Sequence, residues 1–249
     1  MNHDLLRAEI VRHPYPLLFA TVSGAHLYGF PSPDSDYDLR GAHVLPVDES
    51  IGLLPRQDTV QVEGMRGSIE LDIVTHDILK FFVMLLKRNG YVLEQLYSPL
   101  IVQTNPWHDE LKHIARGCIT RNHSYHYLGF AQTQWTLFSK EDSPRIKPLL
   151  YVYRVLLTGI HLMRTGLVEA NLVTLNDEYR LPYVAELVQQ KVTGAEKSTL
   201  QMPEVDFHHG EYQRLAAELS TAASESSLPE APNCQEMLND LLVRVRRSA

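Results

Sequence analysis

The sequence predicts an α+β protein: an α/β half, residues 1–104, followed by an all-helical half, residues 105–249. Three observations carry that prediction. Before residue 104, short apolar runs end in glycine- or proline-marked turns. One of them, Ser68 to Val74, alternates Ile69, Leu71 and Ile73 with Glu70 and Asp72, as a strand with one packed face does. From Pro106 onward, apolar residues recur only at helical spacing, and no internal repeat or low-complexity tract interrupts them.

Taken in order, Asp4 to Val11 reads as a short amphipathic helix closed near His13-Pro14, and Pro16 to Val22 as a buried strand feeding a Ser-Gly turn. A short helical piece around His26 to Phe30 and a Pro-Ser-Pro-Asp-Ser bend precede a second strand, Asp36 to Val44. Thr59 to Glu63 and Ser68 to Val74 form a hairpin around Gly64 to Gly67. Thr75 is the expected N-cap of a helix that carries Ile78, Phe81, Phe82, Leu85 and Leu86 on one face. A short helix, Val92 to Tyr97, and an edge strand, Leu100 to Gln103, close the first half. The second half reads as helices at Trp107 to Arg116, Thr120 to Lys140, Arg145 to Thr165, Pro182 to Val192, Tyr212 to Ala223 and Gln235 to Arg247, with Ser224 to Asn233 as a surface linker.

Composition narrows the function classes. A content of 44% apolar and 21% charged residues fits a globular chain with room for a sizeable core. The most apolar stretch, Pro148 to Met163, is broken by Arg154 and His161, and no charged-then-apolar leader starts at Met1, so a cytoplasmic protein without membrane contact is expected. Cys118 and Cys234 lie far apart and match no zinc or redox spacing, which fits a reduced compartment. A net charge of −7 excludes the broad basic surface of a non-specific nucleic-acid binder but leaves contact with one nucleic-acid end open.

Chemistry concentrates between Gly24 and Gly41, GAHLYGFPSPDSDYDLRG. In an extended strand, Asp36 and Asp38 project to one face and Tyr37 and Leu39 to the other. Paired carboxylates repel each other unless a hard divalent cation such as Mg²⁺ sits between them. A two-ion phosphoryl-transfer centre needs a third carboxylate, and Asp72 is the candidate, with Glu70 in reserve. Arg40 follows the aspartates on the same face, where a salt bridge to Asp38 or Asp72 and a substrate contact are both open.

Ser23-Gly24, Asp36-Tyr37-Asp38 and Leu71-Asp72-Ile73 together resemble the nucleotidyltransferase superfamily that includes DNA polymerase β. The segments SGAHLYGFPSPDSDYDLRG, DIVTHDILKFFVMLLKRNGYVLEQLYSPLIV and KPLLYVYRVLL are similar to the stand-alone bacterial and phage nucleotidyltransferases associated with RNA repair; the likeness spans roughly residues 16 to 165. The resemblance implies a mixed sheet backed by helices in a catalytic domain, residues 1–104, and a helical domain, residues 105–249, that completes the cleft. It implies two Mg²⁺ ions, with Mn²⁺ as a substitute, held by Asp36, Asp38 and Asp72. It also implies an NTP, such as ATP, bound by Ser23, Gly24, Ala25 and His26 at the turn and by Lys147, Tyr151 and Arg154 on a helix. Backbone N–H groups at a glycine turn can approach phosphate oxygens closely. The family usually places serine and then a basic residue after this glycine; here Ala25 and His26 stand there, so that hydroxyl contact is missing.

Lys147, Tyr151 and Arg154 fall at i, i+4 and i+7 and form one stripe, whose alternative is a core helix with Arg154 paired to a carboxylate such as Glu94. His123 and His126, three apart, suit substrate contact or ordinary packing better than a metal, because no third ligand accompanies them. The expected reaction moves a nucleoside monophosphate from an NTP to a hydroxyl, with an RNA 3′ end favoured and a protein side chain or small molecule as other acceptors. A catalytically silent nucleotide- or partner-binding module is the competing reading.

Overall fold

The computed structural model describes residues 3–53, 57–67, 69–141, 144–193 and 202–248. The protein is α+β. Its sheet has five strands, β1 Leu17–Val22, β2 Tyr37–His43, β3 Thr59–Arg66, β4 Ile69–Asp77 and β5 Ile101–Gln103, in the order β3-β4-β2-β1-β5. The β2–β4 pair is parallel and the others are antiparallel, so the sheet is mixed.

Two compact units emerge. The first comprises Met1–Leu27, Asp36–Ile119 and Ala231–Ala249, and the second Tyr28–Ser35 and Thr120–Glu230. Helices Pro106–Ala115 and Gln235–Ser248 therefore belong with the sheet, on the other side of an expected boundary at residue 104.

In the first unit, Leu6 and Ile10 of helix His3–Val11 cluster with Leu17, Val22, Leu39, Leu71 and Ile73 from the strands, and Tyr37 packs against them. This is the alternating apolar set of the sequence, buried as its period requires. Phe19 makes an edge contact with Phe81, ring centres 5.4 Å apart, and stacks on His108 at 4.4 Å. Helices Ile78–Leu86, Gly90–Tyr97 and Pro106–Ala115 are capped by the side chains of Asp77, Asn89 and Asn105, each accepting from a backbone N–H of the first turn.

Several boundaries differ from expectation. Strand β4 continues through Thr75 to Asp77, so Asp77, not Thr75, caps the next helix. Asp77 is fully buried and is held by Arg246, which also donates to the Leu45 carbonyl. That tertiary ion pair keeps the carboxylate inside, where local pattern expects a helix to begin. Ser68 lies outside the described residues. In the second unit, helix Met202–Glu225 starts about ten residues earlier than its apolar period suggested, and helix Leu172–Tyr179, unforeseen, is capped by Asn171. The core of this unit is helix Ile146–Thr165, whose Leu149, Leu150, Val152, Tyr153, Leu156 and Leu157 are all fully buried.

Cys118 and Cys234, far apart in sequence, are both free cysteines, as expected. Both are buried, and their sulfurs stand 3.0 Å apart in the first unit. No helix among the described residues is long and apolar enough to cross a membrane.

Candidate active site

Parallel pairing of β2 with β4 sets Asp38 directly opposite Asp72. Both aspartates sit at the start of their pairing, and an in-register parallel pair presents residues of matching parity to the same face. Arg40, two residues on, reaches back between them. One terminal nitrogen, Nη2, donates to Asp38 Oδ1 at 2.7 Å and to Asp72 Oδ2 at 2.6 Å. The other, Nη1, donates to the carbonyls of Leu39 and Asp72. Its Nε donates to the Tyr91 hydroxyl at 3.0 Å. Burial pulls the guanidinium pKa down, but Tyr91, Asp38 and Asp72 together hold it above its ordinary value, so Arg40 is permanently charged. Of the two options open for Arg40, the salt bridge is the one seen here, and it runs to both carboxylates.

The glycine turn closes on this pair. Ser23 N–H donates to the Asp38 carbonyl at 2.8 Å. Gly24 has φ +60, and a Cβ there would stand 1.8 Å from Asp38 Oδ2. Only glycine combines that backbone with that close approach. Ala25 is buried, and His26 stacks on Tyr37 with centroids 4.1 Å apart. Burial lowers the His26 pKa against the opposing pull of the Asp36 backbone and charge.

Three buried polar atoms in this region take no hydrogen bond among the described residues: Asp72 Oδ1, Ser23 Oγ and His26 Nδ1. A buried carboxylate oxygen without a partner costs about 1–3 kcal/mol or more, so Asp72 Oδ1 is left open to a cation or a water molecule. An all-carboxylate donor set suits a hard cation of the Mg²⁺ class. Asp36 lies just before β2, one residue short of the strand expected to carry it. Among the described residues, no three His, Cys, Asp or Glu side chains are gathered to hold a metal ion. Glu70 is exposed and lies one step beyond the last β2 partner, which pairs with Leu71.

In the second unit, the stripe Lys147, Tyr151 and Arg154 meets the Tyr28–Ser35 segment, the stretch between the glycine turn and the aspartates. Arg154 is buried, its guanidinium carbon 3.9 Å above the Tyr28 ring. Tyr151 makes edge contacts with Tyr28 and Phe30 at 5.6 and 5.9 Å. Lys191, also buried, donates to Ser32 Oγ at 2.8 Å, and the Asp34 carboxylate is favoured chiefly by its hydrogen bond with Ser32 and, more weakly, by the charges of Lys191 and Lys147. His123 exchanges hydrogen bonds with Thr120 at a 3₁₀ turn, and His126 packs beside Tyr127 and Phe130, its pKa lowered chiefly by burial. Tyr91 and Lys191 escaped the sequence reading, because nothing local to either residue signals a partner so far along the chain.

A mixed sheet with two aspartates side by side next to a glycine turn agrees with the resemblance to the polymerase β-type nucleotidyltransferases. The family model of the RNA repair pathway DNA polymerase beta family matches residues 2–244, and the chain belongs to that family. Among curated proteins it is similar to protein MJ0002 of Methanocaldococcus jannaschii, with 34% identity over 60% of this chain and 61% of that one. It is also similar to YcgL of Bacillus subtilis, with 27% identity over 57% of this chain and 54% of that one. The matched stretch thus spans little more than half of either relative. A solved nucleotidyltransferase-like protein from Exiguobacterium sibiricum aligns over 99% of this chain and 79% of its own, at 14% identity and a TM-score of 0.34.

Proposed function

We propose that this nucleotidyltransferase transfers a nucleoside monophosphate from an NTP to a hydroxyl acceptor, releasing pyrophosphate, with Mg²⁺ as the working ion and an RNA 3′ end as the favoured acceptor. The observation that carries the reading is the placement of Asp38 opposite Asp72, with a buried Asp72 oxygen that lacks a partner. Asp38 and Asp72 would hold the ion, with Asp36 as the proposed third donor. Bound there, a divalent cation supplies charge stabilisation at the transferring phosphate. The acceptor oxygen forms its bond to the α-phosphorus as the bond to the pyrophosphate oxygen breaks. Asp72 accepts the hydroxyl proton. Backbone N–H groups of the turn at Gly24 orient the phosphates, and the Arg40 charge keeps Asp38 and Asp72 together between turnovers. RNA is favoured over other acceptors by the family's association with RNA repair.

A second reading, a silent nucleotide-binding module, draws on Ala25, whose methyl stands where a phosphate-contacting hydroxyl is usual. Incubation of the protein with each α-labelled NTP, Mg²⁺ and RNA separates the two. The reading expects label to enter RNA in the wild type and to vanish with Asp38→Ala and with Asp72→Ala. Nucleotide binding without transfer to RNA, protein or small-molecule hydroxyls, indifferent to both substitutions, supports the silent module instead.

A further inference from the structure

The chain's only two cysteines, Cys118 and Cys234, are 116 positions apart in sequence, yet their sulfurs lie 3.0 Å apart. Free cysteines often pack as small buried hydrophobes, and burial alone says nothing about chemistry. Here the backbones, not only the side chains, are brought together. Asn233 N–H donates to the Gly117 carbonyl at 3.1 Å. A Cβ at Gly117 would stand 2.8 Å from Cys234 Cβ and 2.5 Å from Asn233 Oδ1, so residue 117 has to be glycine for the two segments to lie this close. The contact also falls at a special place in the chain. Ile119 ends one stretch of the sheet-bearing unit and Ala231 begins the next, with Thr120–Glu230 inserted between them. Cys118 and Cys234 therefore stand at the exit and the return of that insertion.

We propose that Cys118 and Cys234 form a reversible disulfide, a thiol oxidation site that closes the whole inserted segment into a covalent ring. The oxidant is a small two-electron oxidant of the peroxide class. Cys234 immediately precedes helix Gln235–Ser248, whose first-turn N–H groups favour a thiolate, so its sulfur is the one that attacks first. That attack on hydrogen peroxide breaks the O–O bond, expels hydroxide and leaves a sulfenic acid on Cys234. The Cys118 sulfur then displaces the sulfenic oxygen, which leaves as water once it has taken up the thiol proton. In sum, two thiols lose two electrons and two protons, and one peroxide becomes two waters. Both sulfurs are fully buried, which favours a small oxidant over a bulky one.

The full chain, purified reduced, is treated with hydrogen peroxide, quenched, unfolded and alkylated with iodoacetamide. The expected product has lost two hydrogens, resists alkylation at both cysteines, stays monomeric on a non-reducing gel and yields one digest peptide joining Cys118 to Cys234. A ring of this size should raise Tm by roughly 10 °C over the reduced protein, and dithiothreitol should reverse the shift. Cys118→Ser and Cys234→Ser should each lose the shift, and the remaining cysteine should take up the alkylating agent or advance to a sulfinic acid. If either variant does not fold, the wild-type mass measurement decides alone. Two alkylated cysteines after peroxide, sulfinic acid without a crosslink, or a disulfide between two chains would each overturn the proposal.

Discussion

Replacing Arg40 with alanine removes a cation that joins Asp38 to Asp72. Three hydrogen bonds run to these two residues, two to carboxylate oxygens and one to the Asp72 carbonyl. Hydrogen bonds to charged groups contribute roughly 1.5–3 kcal/mol each, and breaking a buried ion pair by removing one partner costs about 3–5 kcal/mol. The Arg40 side chain is 10% exposed, but the two carboxylates are 19% and 24% exposed, so solvent recovers part of the loss and the lower end applies, about 3 kcal/mol. At roughly 2–4 °C per kcal/mol for a chain of this size, Tm should fall by about 6–12 °C. Two facing carboxylates without Arg40 also attract a divalent cation more strongly. Mg²⁺ should therefore restore more Tm in Arg40→Ala than it adds to the wild type. Thermal unfolding with and without Mg²⁺ measures both effects, and a cycle with Asp72→Asn should show a coupling of at least about 1 kcal/mol. A Tm within about 2 °C of wild type, or strict additivity in the cycle, would refute the bridging role.

Gly24→Ala places a methyl group onto Asp38 in a left-handed backbone that costs roughly 1–2 kcal/mol by itself. It should lower Tm and abolish Mg²⁺-dependent stabilisation together, as thermal unfolding would show; preserved Mg²⁺ stabilisation would remove the turn from the site. His43 is buried, bonded through Nδ1 to Thr75, and pushed down to about 4, chiefly by burial and then by the charge of His13, with Asp77 opposing. A folded pKa below the unfolded value means that the unfolded chain binds more protons between about pH 6.5 and 4. Stability is thus complete above about pH 6.5 and declines as pH falls toward 4, by about 3 kcal/mol for this residue. Denaturant unfolding across that range should show the slope in the wild type and a shallower one in His43→Gln.

Much of the site was legible in the sequence. The glycine turn, the aspartates and the alternating strand of Asp72 announce themselves through short-range pattern, and the strand pairing places Asp72, not Glu70, opposite Asp38. Asp36 shows the limit of that reading. Alternation puts it beside Asp38, but the strand begins at Tyr37, so its backbone stands outside the pairing and takes a hydrogen bond with His26 instead. Arg154 shows another. Its spacing from Lys147 places both on one stripe, while its depth of burial and its cation–π contact with Tyr28 depend on a segment more than a hundred residues earlier.

The sequence by itself determined which residues are strand, turn and helix over most of the chain, because those states follow from periodicity and caps within a few residues. It also determined the family, through motifs that are contiguous. Tertiary structure alone decided the parallel register that sets Asp38 against Asp72, the bridge of Arg40 between them, the grouping of Tyr28–Ser35 with the helical unit, and the contact of Cys118 with Cys234. Each of these joins segments distant in the chain. Register and docking are set by the summed packing of whole elements, and no local window of residues contains that sum.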